Sequence, residues 1–288
     1  MRLRPWLGIA LVLPLPASST GREHLPTQAR TEIPFKLYQD YLVVVQGSVG
    51  TLERLNLLID TGSNVTSVDR KIARRLGLKG QSYKLALLNR TATVESVVLP
   101  SLQIGSIRAE SLPGVVQDLS FVDTVVGFRI DAVVGLDFLA QSSFSINYES
   151  KKMVFGPIEV SSLMVPFKIG APMVTVELRL DGQLVRLLVD TGSRDLLLFE
   201  RQLPPGLRNL PTHEVRQSFN SGATSFERKE ILLSKVQLGA TDRGLKKAFL
   251  TNGSATFDQS FDGALGPASL GLKWIAFDFE SGRFGWKW

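Results

Sequence analysis

The tetrapeptide Asp-Thr-Gly-Ser occurs twice in these 288 residues, as Asp60-Thr61-Gly62-Ser63 and as Asp190-Thr191-Gly192-Ser193. At average residue usage a given tetrapeptide turns up roughly once per 10⁵ positions, so two copies point to a repeated unit. Each copy ends an apolar run: Leu57-Leu58-Ile59 precedes Asp60, and Leu187-Leu188-Val189 precedes Asp190. A buried strand that ends at a carboxylate is costly unless that carboxylate is hydrogen-bonded or used. Two such strands suggest two carboxylates brought together. Close like charges cannot both ionise easily, so a carboxyl pair shares a proton and offers a base and an acid at one place.

The elements that must position the two carboxylates repeat as well. Ile33-Pro34-Phe35-Lys36 is echoed by Val165-Pro166-Phe167-Lys168, 132 residues on (165 − 33). The run Val97-Val98-Leu99-Pro100-Ser101-Leu102-Gln103-Ile104-Gly105 is echoed from Ile231 to Gly239, 134 on (231 − 97). Asp131-Ala132-Val133-Val134-Gly135 matches Asp262-Gly263-Ala264-Leu265-Gly266, and Asn147-Tyr148-Glu149-Ser150 matches Asp278-Phe279-Glu280-Ser281, both 131 on (262 − 131). Landmarks in one order at nearly constant spacing make the chain two copies of one unit, each of ordinary domain length.

Within each unit, short strands dominate. Residues 41–46 form a β-rich run. Residues 173–180 alternate valine with polar residues before Asp181-Gly182, a turn signal, and residues 184–189 then lead into the second Asp-Thr-Gly-Ser. In the first unit the turn is expected at residues 47–50. One helix is predicted over residues 69–76, with Ile72, Ala73 and Leu76 on one face and Gly77 as its stop; shorter ones are expected at residues 136–140 and 268–272. Many short strands with Gly-rich turns predict an all-β fold of barrels or sandwiches.

Composition narrows the chemistry. The absence of Cys excludes disulfides, thiolate nucleophiles and Cys-ligated zinc. His24 falls in a linker, which leaves His213 alone for any Ser-His-Asp triad, and there is no Gly-x-Ser-x-Gly elbow, G-x-G-x-x-G or P-loop. No metal or cofactor is expected. The formal charge is +6, but the basic residues are scattered. The short clusters Arg70-Lys71 and Arg74-Arg75 read as a solvated helix face rather than a nucleic-acid site. The sequons at Asn64, Asn89 and Asn252 read as chance matches. Arg2 and Arg4, the apolar residues 6–15 and the small Ala17-Ser18-Ser19 predict a signal peptide over residues 1–19, followed by a linker at 20–30. Ten apolar residues are too few to span a bilayer, for which about 20 are needed, so no stable membrane span is expected after cleavage; an uncleaved anchor is the alternative. The expected location is secreted or periplasmic.

The doubled pattern of two apolar residues, Asp-Thr-Gly-Ser and a distant apolar-apolar-Gly resembles the aspartic proteases of the pepsin and retropepsin superfamily. Here it is Leu58-Ile59 with Val133-Val134-Gly135, and Leu188-Val189 with Ala264-Leu265-Gly266. The closing stretch from Phe277 to Arg283 also resembles the last strand of such lobes, so the likeness spans about residues 31–288. It implies two homologous β-barrel lobes, residues 31–160 and 161–288, with an active-site cleft between them. It implies an aspartic endopeptidase whose Asp60 and Asp190 activate a water on a polypeptide substrate. It also implies that Thr61 and Thr191 cross-brace the loops, that Ser63 and Ser193 donate to the outer carboxylate oxygens, and that Gly135 and Gly266 pass beneath. Gly62 and Gly192 let the turns fold tightly. Asp131, Asp137 and Asp262, close to these motifs, read as turn or cap residues. Duplication completes the pair within one chain, so a monomer with internal pseudo-twofold symmetry is expected. The flap departs from the family: residues 81–98 contain no Gly, which leaves Asn89 and Arg90 as the first hairpin tip and Ser221 and Gly222 as the second, with Tyr83 an ordinary strand residue. The alternative reading is a non-catalytic peptide-binding pseudo-protease of the cell envelope.

Overall fold

The computed structural model describes residues 11–12, 30–87, 91–159, 163–218, 225–251 and 261–288. Strand accounts for 52% of it and helix for 11%, which makes the fold predominantly β, as expected. The strands form two nine-stranded sheets and one of six strands.

The two large sheets repeat one strand order. In the first, Gln81–Leu87, Thr91–Ile104, Ile107–Gln117, Thr66–Asp69, Ala132–Val134, Leu52–Ile59 and Leu42–Val49 lie side by side. In the other, Thr212–Ser218, Ser225–Leu233, Lys246–Thr251, Leu196–Phe199, Gly263–Leu265, Gln183–Val189 and Thr175–Leu180 follow the same sequence of neighbours. Even the rarer parallel pairings recur. Ala132–Val134 runs parallel to Leu52–Ile59 as Gly263–Leu265 does to Gln183–Val189, and Thr66–Asp69 runs parallel to Ile107–Gln117 as Leu196–Phe199 does to Lys246–Thr251. Strands of this kind are covered on both faces, which is why Leu57-Leu58-Ile59 and Leu187-Leu188-Val189 are apolar at every position and fully buried.

The six-stranded sheet joins the halves. Its order is Met164–Pro166, Arg283–Lys287, Trp274–Asp278, Phe144–Asn147, Lys152–Phe155 and Thr31–Pro34. The first three strands belong to the second half of the chain and the last three to the first. At the seam Phe144 pairs with Phe277, Ser145 with Ala276 and Ile146 with Ile275. Ser145 and Ala276 are themselves 131 residues apart (276 − 145), the repeat distance, so equivalent residues of the two copies pair at the seam. Phe144, Phe155, Phe277, Phe284 and Trp286 are buried around this seam.

Several local expectations are refined. The helix expected over 69–76 is Arg70–Arg75, capped by the Asp69 carboxylate, which accepts from Lys71 N, and closed by Gly77 at φ +64°. The turn expected at residues 47–50 sits instead at Gly50-Thr51, because the strand Leu42–Val49 continues through a bulge at Gly47. A Cβ on Gly47 would lie 2.5 Å from Gln103 O, so that glycine serves the close approach of strands rather than a turn. The last short helix is Pro267–Leu270, ended by Gly271 at φ +73°. The helices Ser120–Val126 and Pro205–Arg208 were not anticipated. In the first, three valines disguise a helical spacing: Val122, Val125 and Val126 face the core.

No helix among the described residues is long and apolar enough to cross a membrane. The signal peptide and linker expected over residues 1–30 lie outside the described residues except for Arg30 and for Leu11 and Val12, which bridge to the edge strand Gln81–Leu87. The hairpin-tip residues Asn89, Arg90, Ser221 and Gly222 also lie outside them, although the strands that flank both tips pair as hairpins.

Candidate active site

Each Asp-Thr-Gly-Ser loop follows the inner strand of its sheet, and the two loops meet. The strand Leu52–Ile59 delivers Asp60, whose amide donates to Val134 O at 3.0 Å; Gln183–Val189 delivers Asp190, whose amide donates to Leu265 O at 3.0 Å. Both delivering strands are clamped by a buried or half-buried aspartate. Asp131 Oδ2 accepts from Asn56 N at 2.9 Å, and Asp262 Oδ2 accepts from Arg186 N at 2.7 Å. Asp131 also pairs with Arg129 at 2.6 Å. These two carboxylates hold strands in place, in keeping with their reading as turn residues.

The loops are tied to each other by four reciprocal hydrogen bonds. Thr61 N donates to Thr191 Oγ1 at 3.0 Å, and Thr191 N donates to Thr61 Oγ1 at 3.1 Å. The two hydroxyls in turn donate across the seam, Thr61 Oγ1 to Val189 O at 2.8 Å and Thr191 Oγ1 to Ile59 O at 3.0 Å. A hydroxyl both donates and accepts, which is why Thr can fill both roles where Val cannot.

Above this brace each glycine packs on the carboxylate of the opposite half. A Cβ on Gly62 would lie 2.5 Å from Asp190 Oδ1, and a Cβ on Gly192 would lie 2.8 Å from Asp60 Oδ1. Any side chain would displace the facing carboxylate, so glycine is required here for space. Each carboxylate also accepts from the amide of its own loop glycine, Asp60 Oδ1 from Gly62 N at 2.9 Å and Asp190 Oδ1 from Gly192 N at 2.8 Å.

The symmetry breaks at the serines. Ser63 Oγ donates to Asp60 Oδ2 at 2.8 Å, as the resemblance implies. Ser193 Oγ turns away and donates to Asp195 O at 3.4 Å, which corrects the expectation for that residue. Among the described residues no amide or hydroxyl donates to Asp190 Oδ2, and Asp190 is held by the loop amides and the Asp60 carboxyl. Both carboxyls are fully buried. Burial, and then the adjacent charge of Asp190, push Asp60 well above the ordinary carboxylate range. Burial pushes Asp190 up to about 6. Both carboxyls therefore hold protons to higher pH than a free carboxylate does.

The supporting layer lies directly beneath. A Cβ on Gly135 would meet Val65 C and O at 2.8 Å, and one on Gly266 would meet Ser193 O at 2.4 Å. In the first half, sequence reasoning missed a polar brace at this level. Asp137 accepts from both Thr66 N and Thr66 Oγ1, each at 2.8 Å, while Gly135 N donates to Thr66 Oγ1 at 3.2 Å. Burial raises Asp137 to about 6. Its position two residues after Gly135 is the sequence signal, although the second copy has Ala268 there. Asn64 and Val65 flank the first loop and are buried, whereas their counterparts Arg194 and Asp195 are half-exposed. Tyr83 sits in the strand Gln81–Leu87, paired with Val94, as a half-buried strand residue. Among the described residues no three His, Asp or Glu side chains converge as a metal site.

No curated protein matches the chain. Residues 45–138 match the family model Asp_protease_2, described as aspartyl protease. That stretch holds Asp60, Thr61, Gly62, Ser63 and Gly135, and it ends before the second copy begins. The match supports an aspartyl protease, retropepsin-like family for this chain.

Proposed function

We propose that the chain is an aspartic endopeptidase whose two halves, residues 31–160 and 161–288, form two lobes around a dyad of Asp60 and Asp190. The observation that carries this reading is the mutual packing of the loops, with each glycine seated on the opposite carboxylate and each threonine bonded to the opposite loop. That arrangement brings two buried carboxyls to one point with a single shared proton. The ionised member takes a proton from a water molecule as its oxygen attacks the peptide carbonyl carbon. The protonated member hydrogen-bonds the carbonyl oxygen as it becomes a hydroxyl. The first carboxyl then gives its proton to the amide nitrogen as the C–N bond breaks, while the second, having given its proton to the carbonyl oxygen, takes one back from a hydroxyl of the diol; this yields an acid and an amine and restores the pair. Polypeptide substrate, a monomeric state and a secreted or periplasmic location belong to this reading.

A non-catalytic peptide-binding protein is the second reading, and one observation favours it: both carboxylates are fully buried. Cleavage of a peptide library from acidic to neutral pH separates the two. Wild-type cleavage that falls to background in both Asp60→Asn and Asp190→Asn, with melting temperatures at or above wild type, supports the dyad. Peptide binding with no cleavage at any pH supports the alternative. Full activity in either variant overturns the assignment of the dyad.

A further inference from the structure

One segment of the chain is basic with no acidic residue in it. The segment from Arg70 to Lys84 contains six basic residues, Arg70, Lys71, Arg74, Arg75, Lys79 and Lys84, and no Asp or Glu. The whole chain has 33 Lys and Arg against 27 Asp and Glu, so without this segment the count is 27 against 27 (33 − 6 = 27). One stretch of fifteen residues therefore accounts for the entire net charge of +6. All six side chains are exposed. Among the described residues their only ion pair is Arg70 with Asp118, at a loose 3.8 Å, and Asp69 is engaged as the helix cap.

The fold presents these charges together beside bare apolar surface. Arg70, Lys71, Arg74 and Arg75 lie on a helix whose Ile72 and Ala73 are turned into the core. The chain then runs back along the strand Thr91–Ile104. A Cβ on Gly80 would lie 2.9 Å from Val97 Cγ1 and 3.0 Å from Glu95 Cβ, and Gln81 pairs with Ser96, so the segment that carries Lys79 runs beside this strand. Val98 is 58% exposed, one of few large apolar side chains so open. Pro100, on the same strand face two residues on, is also exposed, and its ring and Leu76 both lie against Gly50. The patch thus sets exposed cations, countered only loosely by Asp118, beside Val98 and Pro100. A soluble protein gains nothing from that pairing, whereas the interface of an anionic bilayer satisfies both halves of it. The strand Thr66–Asp69 leads away from the loop of Asp60, which sets the helix about 13 Å further off at about 3.3 Å per residue.

We propose that the surface formed by residues 70–79 with Val98 and Pro100 is a docking face for anionic phospholipid membranes, holding the protein peripherally at the bilayer. The basic side chains meet the lipid phosphates, and Val98 and Pro100 enter the headgroup boundary. This inference does not depend on the dyad being active.

Flotation with vesicles tests it. The full chain is mixed with pure phosphatidylcholine vesicles or with mixed phosphatidylcholine–phosphatidylglycerol vesicles, at low and high salt. Binding only to the anionic vesicles, weakened by salt, is expected. Arg74→Glu with Arg75→Glu should reduce the vesicle partition coefficient by at least about tenfold, since each basic group near such a surface contributes about a factor of five. A matched reversal outside the segment, Lys168→Glu with Arg179→Glu, carries the same change in net charge and should leave most binding intact. Val98→Ser should weaken binding without altering its salt dependence. Melting curves of each variant confirm that the fold is kept. Absence of binding by the wild type, or equal loss in both charge-reversed pairs, overturns the proposal. Binding to duplex DNA as tight as to vesicles, with no effect of Val98→Ser, would make the face a general polyanion site and overturns it equally.

Discussion

The two halves hold nearly the same loop by different means. Beneath Asp60, the Thr66 hydroxyl and amide are bound to Asp137, and Gly135 N donates to the same hydroxyl. Beneath Asp190, the equivalent positions are Leu196 and Ala268, and Gly266 N donates to Asp195 O at 3.0 Å. The outer layer differs in the same sense: the Ser63 hydroxyl donates to Asp60 Oδ2, whereas the Ser193 hydroxyl donates to Asp195 O. What stays fixed is the reciprocal threonine brace and the four glycines. Those residues touch the opposite half or a backbone within van der Waals distance, so neither copy can change alone. The supporting layer contacts only its own half, and there each copy found its own solution. The peripheral strands diverge most. Thr91–Ile104 runs unbroken for 14 residues, whereas its counterpart is interrupted at Ser234-Lys235, where Asp181 accepts from Ser234 Oγ and Lys235 N, both at 2.7 Å.

The largest effects are expected where the halves are interlocked. Gly62→Ala places a methyl 2.5 Å from the Asp190 carboxylate, and Gly192→Ala places one 2.8 Å from that of Asp60. Each should lower cleavage by at least about 10²-fold, since a 1 Å displacement of a reacting group costs that much. Equal activity in both variants and wild type would show that the loops are not packed as described. Gly266→Val and Gly135→Val come next. Both should lose activity and melt lower, with Gly266→Val the worse because its Cβ meets backbone at 2.4 Å rather than 2.8 Å. The reverse order, read from paired melting curves, would break that part of the comparison.

The serines should separate the halves by a smaller margin. Ser63→Ala removes a hydrogen bond to a carboxylate and should cost about tenfold in kcat/KM, while Ser193→Ala should stay within about threefold. Comparable losses would mean that Ser193 turns back to Asp190 during turnover.

A difference of another kind is expected in how stability depends on pH. Asp137 is raised from 3.8 to about 6, so between these values the folded chain holds a proton that the unfolded chain releases. Its contribution is fully present below about pH 4 and is lost as pH rises through about 6, by roughly 2–3 kcal/mol. Thr66→Leu with Asp137→Ala copies the second half onto the first. Compared with wild type, this variant should gain in melting temperature between pH 4 and pH 7. Thr66→Leu alone should do the opposite, because it removes a donor that stabilises the ionised Asp137. Identical pH profiles for all three chains would show that Asp137 does not titrate in that range.

Much of this was legible in the sequence because repetition served as its own control. Matching Asp-Thr-Gly-Ser and apolar-apolar-Gly segments located the loops, the delivering strands and the glycines beneath them. Features that belong to one copy had no such echo. Asp137 gave only a turn signal, and its partner Thr66 gave none, since their contact joins residues 71 positions apart. The orientation of Ser193 was hidden because the tetrapeptide is identical in both copies; the cause is the change from Asn64-Val65 to Arg194-Asp195 just after it. The helix Ser120–Val126 was obscured by β-branched residues, whose strand preference is overridden by the packing of Val122, Val125 and Val126.

The seam between Phe144–Asn147 and Trp274–Asp278 has a consequence for how such a chain is assembled. Each half supplies three strands of the shared sheet, and four residue pairs cross the seam between its strands. With Ser145 opposite Ala276, the contact is isologous in the manner of a twofold dimer of identical subunits. The connection between Phe155 and Met164 then serves mainly to raise the local concentration of one half around the other. A chain divided within that connection, its two pieces expressed together, would be expected to reassemble as a heterodimer, and the single polypeptide is best understood as a dimer whose subunits were joined and thereby freed to differ.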